Sequence, residues 1–320
     1  MPQAGPTALR PAGLVLMPLL SASQASHATS DLRLRLVLLA TMAMWGANLS
    51  VVKWLLQTLE PMAASALRMG VASLAIGALV LVTRPTWPRL SRQQKGGLVL
   101  CAVVMLYLNQ ICLSYGMQRT GAANAALIMA LNPLVSALMA AMLLGERLSL
   151  ARAGGVALGF AGVSAVVLTR PGAAFGQASL GDLLVFGAVL TWVGGGVLVQ
   201  RLARQVNTQV ISCWNTWLGS LMLLTHVVLD PGTHLPVLGS LGTGVWVALV
   251  ASGVLATAVG SLVWNHGLQR FGVARTALYA YWVPIFGVLF AVAWLGEPLR
   301  VWHGVGLAAV LLGTWLGSRR

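Results

Sequence analysis

The chain has 320 residues, of which 58% are hydrophobic and 8% charged, with a mean hydropathy of +0.84 and a net charge of +14. A soluble domain carries about 25% charged residues, so this composition excludes a soluble globular protein. Its apolar richness excludes a disordered chain. What remains is an all-α integral membrane protein, because only helices or closed barrels satisfy the backbone in lipid and the apolar runs show no period-2 alternation.

In chain order, residues 1–33 come first. Arg10, the apolar stretch Ala12–Leu20 and the small residues of Ser21–Ala28 imitate a secretory leader. A cleaved leader would leave the new N-terminus outside, against the charge distribution described next. The expectation is therefore a disordered cytoplasmic tail, or an extension upstream of a start at Met17. A span takes about 20 residues, and ten spans are predicted near 36–54, 62–83, 97–117, 121–144, 152–169, 181–200, 208–229, 243–267, 273–295 and 301–317.

Ten spans put both termini on one side. Of the 20 Lys and Arg, only Lys53, Arg68, Arg119, Arg170 and Arg300 then fall on the opposite side; the other 15 share the side of the termini. Basic loops stay cytoplasmic, so N-terminus and C-terminus are expected inside, and the charge excess reflects orientation, not binding of nucleic acid. Cys101, Cys112 and Cys213 lie in apolar runs and read as small buried hydrophobes.

The chain repeats itself. Residues 116–166 align with 267–317 at a constant offset, with 17 identities in 51 positions, among them Gly121/Gly272, Pro133/Pro284, Gly145/Gly296 and Glu146/Glu297. Trp45 and Trp192 match more faintly. Each copy holds five spans, an odd number, so the second copy is expected inverted. Inverted repeats place a cavity near the midplane and let two halves rock around it.

The segments that carry this pattern are WGANLSVVKWL (45–55), ALRMGVAS (66–73), the stretch 120–163 with NPL and LLGERL, and the stretch 272–313 with VPI and LGEPL. In order and spacing they resemble the EamA-type proteins of the drug/metabolite transporter superfamily, over roughly residues 34–318. The resemblance implies an EamA-like repeat over 34–170, a second over 181–320, and a ten-helix inner-membrane carrier of small metabolites, often an exporter. Amino acids and related compounds are common cargo.

Several residues could carry function. Arg68 lies seven residues after Pro61, about 10 Å into its span; it either binds a carboxylate or phosphate or snorkels to the headgroups. Lys53, near a span end, leans towards snorkelling. Trp45, Asn48, Tyr107, Asn132, Trp192, Trp264 and Tyr281 are candidates, with Arg68, for a cavity of aromatic walls and amide hydrogen-bonders; the alternative is packing and helix–helix hydrogen bonding. Pro133 and Pro284 are candidate kinks at which the wall bends. Glu146 and Glu297 fall at span ends and read as helix-end partners. The small-residue runs Ala151/Gly155/Gly159 and Ala309/Gly313/Gly317 mark close packing, within the chain or in a homodimer.

No acid falls mid-span, and the small multidrug members of the superfamily resemble a different design, with a glutamate in the first helix. The histidines counted in or near spans are His226 and His266. No nucleotide-binding loop and no metal-ligand cluster occurs in the sequence, so no cofactor is expected. The reading is a non-enzymatic carrier in membrane lipid with a small-molecule substrate. The alternatives are a nucleotide-sugar or lipid-intermediate carrier, and an integral membrane enzyme.

Overall fold

The computed structural model describes residues 13–83, 87–144, 150–168, 179–271 and 278–318, with side-chain contacts from residue 32 onward. The described residues are helical with short connections. They form α1 (Gly13–Leu55), α2 (Pro61–Thr83), α3 (Arg92–Cys101), α4 (Asn109–Arg119), α5 (Ala122–Met129), α6 (Asn132–Leu144), α7 (Leu150–Leu168), α8 (Leu180–Leu202), α9 (Thr208–Leu229), α10 (Thr243–Val250), α11 (Gly260–Phe271), α12 (Trp282–Leu295) and α13 (Val301–Ser318). Helix α1 begins at Gly13 and so runs through part of the segment expected to be a disordered tail. Among the described residues, six helical runs are long and apolar enough to cross a membrane: Leu32–Leu55, Pro61–Thr83, Arg92–Arg119, Ala122–Met139, Leu180–Leu202 and Thr243–Trp264. Shorter apolar helices cover Ala153–Ala165, Tyr279–Leu295 and Val301–Gly313.

Two runs are continuous only because a wide turn joins them. Ala102–Leu108 is π-helical and links α3 to α4; Ala251–Val259 is π-helical and links α10 to α11. Such turns insert an extra residue and re-aim the side chains that follow, and they gather at functional positions. Both are packing sites. Helix α9 lies on the first and α2 on the second. A Cβ on Gly219 of α9 would meet Leu106 at 2.4 Å, and one on Gly253 would meet the Arg68 carbonyl oxygen at 2.6 Å.

The two prolines do not bend a continuous helix. Residues Ala130 and Leu131 are a turn, and Pro133 is the second residue of the new helix α6. Pro284 is the third residue of α12, just after a short 3-10 turn, Leu278–Tyr281. Proline is tolerated in a first turn, where its missing N–H would have no partner anyway. The Met129 carbonyl, four residues before Pro133, instead accepts from Asn132 Nδ2 at 2.8 Å.

Helix α7 packs along α13 through small residues. A Cβ on Gly162 would meet the Ala309 Cβ at 2.4 Å, and one on Gly313 would meet the Gly155 carbonyl oxygen at 2.5 Å. The small-residue stripes are thus used on each other within one chain. Helix α1 packs on α12 and α11, while α8 packs on α4, α5 and α6. The largest cluster of buried apolar side chains lies among α1, α5, α6 and α8, around Leu127, Leu131, Val135 and Val185.

Candidate functional site

Arg68 is 3% exposed and does not reach the headgroups. Its Nη1 donates to Ser252 Oγ at 3.0 Å and its Nη2 to Gln110 Oε1 at 2.7 Å. Ser252 Oγ in turn donates to Asn48 Oδ1 at 2.5 Å. Asn48 lies on α1, Arg68 on α2, Gln110 on α4 and Ser252 on the second π-helical segment, so four elements converge on one guanidinium. Their partner atoms are all neutral. Hydrogen bonds from amides and hydroxyls solvate a buried cation but do not cancel its charge.

Beside this network lies an aromatic pair. Trp45 Nε1 donates to the Ala256 carbonyl oxygen at 2.7 Å, and its ring stands 5.5 Å from that of Trp264. The contact depends on Gly260, whose Cβ would sit 2.6 Å from Trp45 Nε1. The Ala256 carbonyl belongs to the same π-helical segment as Ser252. That segment therefore presents one hydroxyl to Arg68 and one carbonyl to Trp45.

Of the residues singled out in the sequence, Trp45, Asn48, Arg68 and Trp264 are brought together. Tyr107 stands one turn before Gln110 and bonds elsewhere, to His226 Nδ1 at 2.7 Å. Asn132 sits at the α5–α6 break, and its Oδ1 is buried without a hydrogen-bond partner. Trp192 is 41% exposed, unlike its counterpart Trp45, and Tyr281 ends the 3-10 turn ahead of α12, half-buried. Ser252 was missed in the sequence: a lone serine between Ala251 and Gly253 in an apolar run carries no signal of its own.

Two end residues have structural partners. Lys53 Nζ donates to the carbonyl oxygens of Met117 at 2.7 Å and Thr120 at 2.6 Å, at the C-terminus of α4. Glu297 accepts the Ala122 and Ala123 N–H groups at 2.7 and 3.0 Å, at the N-terminus of α5. A cation at a helix C-terminus and an anion at the following N-terminus both complement the helix dipoles. Gly121 lets the carboxylate approach, since a Cβ there would meet Glu297 Oε2 at 3.0 Å. Gly296 precedes it with φ +66°, a left-handed helix end that suits glycine. Gly145, Glu146 and Arg147 lie outside the described residues.

His303, passed over in the sequence although it falls in the tenth predicted span, is buried in α13. Its Nδ1 accepts the Arg300 N–H at 3.1 Å, so Nε2 carries the proton and donates to Asn124 Oδ1 at 3.1 Å. This ties α13 to α5 and leaves His303 without a free acceptor.

A bundle of apolar helices with a buried arginine held by neutral groups is a multi-pass membrane protein built around a polar interior site, as solute carriers are. The EamA-like transporter family model matches residues 33–168 and again 179–319. The chain belongs to that family, and it is a transporter. It is 25% identical over 290 residues to the uncharacterized transporter YyaM of Bacillus subtilis (strain 168), covering 90% of this chain and 94% of that protein. It is 28% identical over 298 residues to a probable terminal-alkyne amino-acid exporter of Streptantibioticus cattleyicolor, covering 87% and 96%. A crystal structure with 22% identity superposes with a TM-score of 0.59, covering 88% of this chain and 94% of the other, and shares its fold.

Proposed function

We propose that the protein is an inner-membrane exporter of amino acids or related small metabolites, with Arg68 as the anchor for the cargo's carboxylate. The observation that carries this reading is the Arg68 site. A guanidinium at 3% exposure with only neutral partners is an incomplete ion pair, and a carboxylate completes it with two parallel hydrogen bonds. Trp45 and Trp264 stand beside it as an apolar wall for the side chain of the cargo. The similarity to a probable amino-acid exporter supports the same class.

The cycle is alternating access between two inverted five-helix repeats, with both termini cytoplasmic. Its support is the pattern of contacts. Helix α9 on the first π-helical segment corresponds to α2 on the second. The α7–α13 contact joins the last helix of one half to the last helix of the other. The excess of basic residues on the side of the termini supports the orientation.

The test compares the growth medium of cells overproducing the wild type and Arg68→Ala by mass spectrometry, at matched protein levels. The expected result is a class of carboxylate-bearing metabolites that accumulates outside for the wild type and falls at least about tenfold in the variant, the loss of roughly 1.4 kcal/mol or more of binding. Equal accumulation from both strains would refute the role of Arg68. Accumulation of nucleotide sugars instead would refute the cargo class.

A further inference from the structure

Apart from the Arg68 network, a set of titratable groups among the described residues forms a connected chain. Tyr107 Oη lies 2.7 Å from His226 Nδ1, and the two rings are 5.8 Å apart. The other imidazole nitrogen, Nε2, faces Asp230 Oδ2 at 3.9 Å. Asp230 follows the last residue of α9. Its carboxylate accepts the Thr233 hydroxyl at 2.6 Å and the Gly232 N–H at 3.1 Å. These hydrogen bonds, with the nearby histidines, hold Asp230 below the usual carboxylate range, so it stays charged near neutrality.

The chain is graded in exposure. The side chains of Asp230 and His226 are 37% and 26% exposed. Tyr107 is packed against the cluster of Met62, Ala66, Met69, Leu106, Leu223 and Val227. Gln110 follows Tyr107 by three residues and accepts the Arg68 hydrogen bond. The chain of contacts therefore runs from an open rim to Tyr107, and Gln110, further along the same helical run, holds the buried guanidinium.

We propose that Tyr107, His226 and Asp230 form a proton-binding site, and that protonation of His226 couples a proton to the Arg68 site in the transport cycle. The coupling rests on the carrier reading above; the proton site does not.

The mechanism is a reversal of one hydrogen bond. With the imidazole neutral and its proton on Nε2, Nδ1 is an acceptor and the Tyr107 hydroxyl donates to it. A proton from water that adds to Nδ1 turns that nitrogen into a donor. Nδ1–H then donates to Tyr107 Oη, and the Tyr107 proton must turn to another acceptor. The Asp230 carboxylate faces the new positive charge. The proton leaves by the same nitrogen, so none is created or lost. Tyr107 belongs to the π-helical segment Ala102–Leu108, and a change in its bonding acts on the turn that aims Gln110.

The other ionisable neighbours are few. At the start of α2, Glu60 accepts the His234 N–H at 3.0 Å. Tyr115 of α4 packs on the same apolar cluster, with Arg119 over its ring at 5.5 Å. Helices α3 and α8 meet α9 at its opposite end, around Leu98, Leu202 and Val210, where Arg92, Lys95, Arg201 and Arg204 lie. Helix α11 contributes His266 and Arg270, in its last two turns.

The test uses the full chain in lipid nanodiscs, with hydrogen exchange corrected for intrinsic rates at about pH 6 and about pH 8, the range in which histidine changes charge. Wild type, His226→Gln and Tyr107→Phe are compared, each checked for an intact thermal transition; should His226→Gln fail it, Tyr107→Phe, which keeps the ring, carries the test. The expected result is a difference of on the order of threefold or more between the two pH values in the amides of residues 102–110 of the wild type, absent from the variants. An equal response in wild type and variants, or none in the wild type, overturns the proton site. Counterflow of L-phenylalanine in proteoliposomes separates the two readings. A pH-dependent flux that becomes pH-independent in His226→Gln supports coupling; a flux with the same pH dependence in both overturns it. A wild type whose amides respond to pH but which moves no amino acid overturns the cargo reading and leaves the proton site standing.

Discussion

Glu297→Ala should loosen the start of α5 without disturbing the rest of the bundle. The first N–H groups of a helix have no partner within it. Here Glu297 supplies acceptors to two of them, on Ala122 and Ala123, from 175 and 174 residues away. Ala122 and Ala123 are buried, so water does not readily take over. An unsatisfied buried donor costs about 1–3 kcal/mol. Two donors, with Glu297 itself half-buried and some solvent able to follow, give about 2–3 kcal/mol in total. Through local opening this corresponds to exchange roughly 30- to 150-fold faster, at about 1.4 kcal/mol per tenfold. Hydrogen exchange of the Ala122 and Ala123 amides is the assay, with thermal unfolding in lipid alongside. Glu297→Gln keeps one good acceptor and should lose about half as much. Unchanged exchange at both amides in Glu297→Ala would refute the cap and the energies drawn from it.

Two glycines of α13 should respond in opposite ways to alanine. Gly313→Ala puts a Cβ 2.5 Å from the Gly155 backbone oxygen and should force α7 and α13 apart, costing about 1–3 kcal/mol. Gly304 meets nothing within 4 Å, so Gly304→Ala should be neutral or stabilising by about 0.5–1 kcal/mol, through lower chain entropy; unfolding midpoints in the same lipid check both, and equal effects would refute the close contact. Trp45→Phe keeps an aromatic ring, smaller than the indole, but removes the donor to Ala256. It should cost about 1 kcal/mol and raise exchange within Ala251–Val259, measured in the same way.

The amino-acid sequence by itself determined the all-helical membrane class, several of the helices and the family resemblance. A membrane span is a local property, about 20 apolar residues in a row, so three predicted spans end close to the observed helices: 62–83 against Pro61–Thr83, 181–200 against Leu180–Leu202, 208–229 against Thr208–Leu229. Others differ: α1 begins at Gly13, not near 36, and the run predicted at 121–144 is two helices. The doubled Pro and Gly-Glu pattern is equally local, and it led to the family whose model matches both halves of the chain. Arg68 stood out in the sequence as a candidate because an arginine about 10 Å inside a span is conspicuous whatever surrounds it.

What surrounds it was decided only by the tertiary structure. Arg68 bonds to residues 42 and 184 positions away, and Trp45 to one 211 away. No periodicity within a span encodes such partners. The same holds for Lys53, whose partners are carbonyls at the end of α4, and for His226, which gains meaning only from Tyr107 on another helix. The prolines show the limit most plainly: sequence marked Pro133 and Pro284 as bends, but packing made them the first turns of new helices. In lipid the burial of apolar surface scarcely distinguishes one helix pairing from another. Close fit between small residues and a few buried hydrogen bonds make the choice, and both are properties of the assembled bundle.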